Sequence, residues 1–239
     1  MQDIGLAMMI TMMASATQGV AGFGGGLISM SLLSMLWSVP FATAVLCPLG
    51  ITLNLTVMWR LKDHLRPQLV LPILMGLPFG VALGIMSLEH LSGVVLKAAL
   101  GVSLLATVLN AVLGRSLREP PRVIGPLVGI LSGATGAALS SPGPPAIIYA
   151  TLCGWPRDRF RAQLSIIFGA ASAMSLIGLS LRGVLNSETL TTSACLLPGL
   201  IFSSALGVKL GGRLPQAQFR RLVLCLLTAL AARFLWNVL

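Results

Sequence analysis

Apolar residues run along this chain in ten blocks, separated by short polar stretches or by clusters of glycine and proline. The blocks lie at about 4–20, 24–37, 40–59, 68–86, 92–113, 123–139, 143–153, 160–181, 190–208 and 218–238. A helix that crosses a bilayer needs about 20 apolar residues at ~1.5 Å each. The first, second, sixth and seventh blocks are shorter than that. They form two pairs, each broken in the middle. The first break reads Gly19-Val20-Ala21-Gly22-Phe23-Gly24-Gly25-Gly26. The second reads Gly133-Ala134-Thr135-Gly136-Ala137-Ala138-Leu139-Ser140-Ser141-Pro142-Gly143-Pro144-Pro145. The pattern predicts an all-α polytopic membrane protein of two inverted repeats. Each repeat is a glycine- or proline-broken helical hairpin followed by three transmembrane helices. Interrupted hydrophobic segments at matching places in two halves point to the binding site of a secondary transporter.

The halves are residues 1–114 and 123–239 of one transmembrane domain, 1–239. Gly19 and Gly22 align with Gly133 and Gly136, Pro40 with Pro156, and Ala82-Leu83-Gly84 with Ala205-Leu206-Gly207. Leu91 aligns with Leu214, and Lys97 with Arg220.

Composition agrees with a bilayer as solvent. The chain is 56% hydrophobic and 9% charged, with a mean hydropathy of +0.93. The net charge of +10 suggests nucleic acid only until its distribution is read. The basic residues are scattered between apolar runs, and aromatic residues are few. If each hairpin makes no net crossing, only Lys97, Arg182 and Arg233 of the 16 Lys and Arg fall on one side. If each hairpin is one kinked crossing, the loop charges divide evenly. The positive-inside rule selects the first topology. The charged loops are then cytoplasmic, both termini are outside, and the membrane is the cell's inner or plasma membrane. Trp37, Trp59, Trp155 and Trp236 fall at span ends, as an interfacial aromatic belt requires. The start has no basic leader segment, so no cleaved signal peptide is expected.

This topology brings the two hairpin turns together from opposite faces. Irregular backbone at that depth must be buried in protein or line a cavity. New helices begin at about Gly24–Gly26 and Gly143–Pro145. Their free N–H groups and positive dipole ends then face the centre. Glycine lets an oxyanion approach the backbone closely. Gln18, Thr135, Ser140 and Ser141 flank the turns and can donate further hydrogen bonds. The candidate binding residues are therefore Gln18, Gly24, Gly25, Gly26, Thr135, Ser140, Ser141 and Gly143, with Asn54 and Arg161 beside them. Asn54 lies inside a span and matches Ser172; it is a site residue or an interhelical hydrogen-bonding residue. Arg161 receives an anion at the inner mouth or serves only as a topology determinant.

Three segments carry a family resemblance: Gly22-Phe23-Gly24-Gly25-Gly26, the run Ser141 to Tyr149, and Gly154-Trp155-Pro156 followed by Phe160-Arg161-Ala162. They resemble the TauE/SafE sulfite-exporter family, also called the four-toluene sulfonate uptake permease family. The resemblance covers nearly the whole chain. It implies a permease or exporter of small sulfur-containing anions, such as sulfite, sulfoacetate or other sulfonates. The chain departs from the family pattern at the second turn. Serines and a proline stand at 140–142 where the family carries glycines, which changes the donors there.

The six acids, Asp3, Asp63, Glu89, Glu119, Asp158 and Glu188, are expected at the terminus or in loops. A carboxylate proton relay or sodium site at the midplane is therefore not expected. Nor is a cofactor or metal: His64 and His90 fall in opposite loops, and the four cysteines form no ligand spacing. Gly129-Ile130-Leu131-Ser132-Gly133 looks like a nucleophile turn, but no base is within reach of it. A passive anion channel, or a carrier of a non-sulfur organic anion, is the remaining alternative. The expected partners are a small anion and the lipid bilayer, with no nucleic acid.

Overall fold

A computed structural model describes residues 4–92 and 122–212, with a few isolated positions between and beyond them. The blocks at 92–113 and 218–238 lie almost wholly outside the described residues. So do Asp3, Lys97, Asn110, Glu119, Arg220, Arg233 and Trp236.

The described chain is helical. Its α-helices are α1 (Ile4–Ala21), α2 (Gly25–Leu33), α3 (Val39–Arg60), α4 (Leu71–His90), α5 (Gly125–Leu139), α6 (Gly143–Leu152), α7 (Arg157–Leu181) and α8 (Ser187–Gly211). Short 3-10 turns at Lys62–His64, Pro67–Leu69 and Arg122–Ile124 link them. Five helices are long and apolar enough to cross a membrane: α1, α3, α4, α7 and α8.

Local chemistry explains the boundaries. Gly22 and Gly24 have φ of 85° and 97°, a left-handed backbone that glycine adopts without steric cost. They turn α1 into α2. Pro40, Pro72, Pro126 and Pro144 sit in the first turns of α3, α4, α5 and α6, where a missing N–H costs nothing. α8 begins earlier than its apolar block because Asn186 and Thr189 form a reciprocal capping box. α7 likewise takes in the polar Arg157-Asp158-Arg159 turn ahead of its apolar run.

Three expectations change. α1 has 18 residues and is long enough to cross, where its apolar block read as short of a full span. The acids are not confined to loops: Glu89 falls in the last turn of α4, and Asp158 and Glu188 in the first turns of α7 and α8. α4 runs on to His90, so that histidine ends a helix.

Small residues set the packing. α1 runs alongside α8, and α5 alongside α4, each pair in the same direction. A methyl group added at Gly19 would fall 2.5 Å from the Ser204 carbonyl oxygen and 2.9 Å from the Val208 nitrogen. At Gly133 it would fall 2.6 Å from the Leu77 oxygen and 2.9 Å from the Val81 nitrogen. Gly207 packs on the Ala16 carbonyl and Gly80 on that of Ile130; Gly211 packs on Val20 and Gly84 on Ala134. Ser15 and Ser203 add a 2.6 Å hydroxyl pair across the α1–α8 seam. α3 and α7 cross antiparallel, with Gly50 against Ser172 and Gly169 against Asn54. Lipid is as apolar as leucine, so close packing and hydrogen bonds must supply the association energy. Gly80→Val should lower stability by about 1–3 kcal/mol through overpacking against rigid backbone. Thermal unfolding in detergent measures this, with Gly5→Ala as control, since nothing stands within 4 Å of that position.

Candidate anion site

The two turns meet in the middle of the bundle. Gly26 Cα packs directly on the Ser140 carbonyl, so closely that a side chain there would strike the Ser140 oxygen. Near the start of α3, Ser140 Oγ donates to the Thr43 carbonyl at 3.4 Å, and Thr43 Oγ1 donates to the Ala138 carbonyl at 3.5 Å. These contacts pin the second turn to the first half of α3. The first turn lies near its second half, where Gly25 packs on Leu53. The meeting point is therefore mid-helix on α3.

Between the turns is a cavity of about 50 Å³. A water needs ~10–15 Å³ on this measure, so the space suits a group of a few heavy atoms. Its walls are Gly24, Gly25 and Gly26 at the start of α2; Ser140, Ser141 and Gly143 at the start of α6; Gln18 from α1; and Asn54 and Ser172 from α3 and α7. Eight of the ten residues singled out from sequence are thus brought together.

Thr135 and Arg161 stand elsewhere. Thr135 Oγ1 bonds its own helix at Leu131 and Ser132, and its carbonyl accepts the Ser141 N–H at 3.3 Å. Arg161 is wholly buried behind the first turn, against Gly22. Its guanidinium donates to the Gly19 carbonyl at the end of α1 and to that of Val208 on α8, the latter at 3.1 Å. It also donates to Asp158 at 3.2 Å.

Sequence reasoning missed Thr11, Ser15 and Ser29, which also line the cavity. Thr11, Ser15 and Gln18 recur at helical spacing, so a polar stripe on apolar α1 was the available signal.

The donors differ between the turns. On α2, the Gly25 N–H already donates to Gln18 Oε1 at 3.0 Å, and Gln18 Nε2 donates to Asn54 Oδ1 at 2.9 Å. Asn54 in turn donates to the Gly50 carbonyl at 2.7 Å. The Gly26 and Leu27 N–H groups have no partner among the described residues. On α6, Pro144 and Pro145 carry no N–H, so Gly143 is the main-chain donor of the first turn. The serines at the second turn matter here. Ser141 is 1% exposed, and its hydroxyl has no partner among the described residues. Buried hydroxyls are ordinarily satisfied, and each exception calls for an explanation. A bound acceptor supplies one.

None of the described residues lining the cavity is Lys, Arg, Asp or Glu. A roomier recess of about 460 Å³ near Trp37 and Phe41 carries Glu188 on its wall, which repels anions.

A probable sulfite/organosulfonate exporter, TauE, of Cupriavidus necator is 26% identical over 229 residues, covering 90% of this chain and 87% of that protein. No solved structure matches. The sequence pattern of the sulfite exporter TauE/SafE family matches residues 7–234. With five described helices long and apolar enough to cross a membrane and a match over nearly its whole length, the chain belongs to the TauE/SafE sulfite-exporter family of multi-pass membrane transporters.

Proposed function

We propose that the protein is a secondary carrier that moves small sulfur oxyanions and sulfonates, binding them between the two helical turns. The observation that carries this reading is the Ser141 hydroxyl, buried and without a partner among the described residues, in a cavity faced by two helix N-termini. Helix N-termini offer N–H donors and a positive dipole end, which suit an oxyanion. The relative's name supports sulfite or an organosulfonate as cargo.

In this reading the halves 1–114 and 123–239 are inverted repeats. The seams support it. Gly19 sits on Ser204, Gly207 and Val208 as Gly133 sits on Leu77, Gly80 and Val81, through the same atoms in the same order. These contacts pair Gly80 and Gly84 with Gly207 and Gly211, one helical turn away from the motif alignment of Gly84 with Gly207. The hairpin of each half packs on a span of the other, and the antiparallel α3–α7 crossing mates with itself. Rocking of one half against the other about that crossing gives alternating access. The basic loops are cytoplasmic and both termini outside.

The test is flux through proteoliposomes. A carrier gives saturable sulfite or methanesulfonate efflux that speeds up when the same anion is present on the opposite side. Flux that rises linearly with concentration and ignores the opposite side would instead mark a channel. Ser141→Ala removes one hydrogen bond to a charged group, worth about 1.5–3 kcal/mol. It should weaken apparent affinity by about 10- to 100-fold while leaving the unfolding midpoint close to that of the parent. Concentration-dependent flux checks both.

A further inference from the structure

We infer that the cavity takes singly charged anions, a sulfonate or sulfite in its hydrogensulfite form, and rejects dianions such as sulfate, which excludes the doubly charged sulfoacetate that the family resemblance implied. This rests on the placement of the substrate between the turns. Among the described residues the cavity walls carry no ionisable cation, so the dipole ends of α2 and α6 are the positive groups that face the bound charge. These helices have nine and ten residues, and each N-terminus supplies about half a positive charge. Together they offset about one negative charge.

The opposite helix ends keep the sum from exceeding that. α1 and α5 finish at the same two turns, and their C-termini are negative. At the first turn, Arg161 faces the terminal α1 carbonyls and cancels them, while Asp158 holds the outer side of its guanidinium at 3.2 Å. At the second turn the described donors to the last α5 carbonyls are all neutral: the Ser140 and Ser141 N–H groups on Thr135 and the Thr43 hydroxyl on Ala138. A second negative charge would be buried without compensation, which is costly.

The donor count agrees. Among the described residues, the Gly26, Leu27 and Gly143 N–H groups and the Ser141 hydroxyl have no partner, while Gln18 already occupies Gly25. A few donors suit the three oxygens of one sulfonate head, and about 50 Å³ leaves room for a small substituent only.

Protonation sets the sign for sulfite. Hydrogensulfite is the bound form, and raising the pH removes its proton. Sulfite affinity should therefore fall with rising pH, approaching tenfold per pH unit once the dianion dominates. Methanesulfonate has no proton to lose and should bind alike across the range.

The experiment is a thermal-shift titration of the purified, full-length protein with methanesulfonate, sulfite and sulfate, in mildly acid and mildly alkaline buffer. A bound ligand raises the midpoint by mass action. The expected result is methanesulfonate binding that ignores pH, sulfite binding that weakens in alkali, and sulfate at least about 100-fold weaker. Sulfate within tenfold of methanesulfonate, or sulfite binding that strengthens in alkali, would overturn the selectivity and leave the site standing. No shift with any of the three, together with an unaltered Ser141→Ala protein, would overturn the site itself and the selectivity with it.

Discussion

Leucine at Gly26 should abolish transport while the protein still inserts in the membrane. Gly26 packs on the Ser140 carbonyl, and any Cβ there meets main-chain oxygen rather than a side chain that can swing aside. The two turns must then part. The added isobutyl group would also fill a cavity of about 50 Å³. Overpacking of this kind costs about 1–3 kcal/mol, which a multi-span helical bundle can survive. The lost cavity removes binding altogether, so flux should drop by at least about 100-fold. Gly25→Leu is the informative companion. Its Cβ meets the Gln18 amide and Leu53, and both side chains can move. It should lose less activity than Gly26→Leu. Proteoliposome flux, with membrane-fraction yield as the control for insertion, separates the two.

Arg161→Ala should give the largest loss of stability. This side chain is wholly buried and joins three elements: Gly19 at the end of α1, Val208 on α8 and Asp158 on α7. Its removal takes the guanidinium donor from the Gly19 carbonyl, leaves the Val208 carbonyl with the Gly212 N–H alone, and deprives Asp158 of a main partner. Asp158 is 27% exposed and keeps Arg157, so solvent and that second guanidinium soften the loss. About 3 kcal/mol is expected. Arg161→Lys should recover only part of it, because a single ammonium cannot span the positions that the planar fork reaches. Thermal unfolding in detergent reads the stability. The anion affinity of the surviving folded protein should fall as well, since the negative end of α1 is then unmasked beside the site.

The parts of the fold legible in the sequence were those fixed by local chemistry. A turn that requires φ above zero shows itself as Gly22 and Gly24. A helix start that tolerates a missing N–H shows itself as Gly143-Pro144-Pro145. Because those signals are local, α2 and α6 begin where the sequence placed them, and eight candidate residues share one cavity.

What was not legible depends on contacts across the bundle. Arg161 read as an anion receptor or a topology marker, yet it is a buried tie. Only the fold brings Gly19 and Val208 to it. The start of α8 was missed because the Asn186–Thr189 capping box lies outside the apolar run. Gln18 was expected to donate to substrate. Instead its oxygen already covers the Gly25 N–H, a pairing that needs α1 and α2 folded back on one another. The polar stripe of Thr11 and Ser15 was present in the sequence, but its meaning appears only when α1 is set against α2 and α8.

The most direct test of the site is where a heavy-atom analogue binds. Crystals or cryo-preserved particles of the full chain, soaked with methaneselenonate, would show the selenium by anomalous signal or density. The expected position is between the turns, with selenonate oxygens within hydrogen-bond distance of the Ser141 hydroxyl and the Gly26 and Gly143 nitrogens. Selenium against Arg161, or in the recess beside Trp37 and Glu188, with the space between the turns unoccupied, would contradict the assignment.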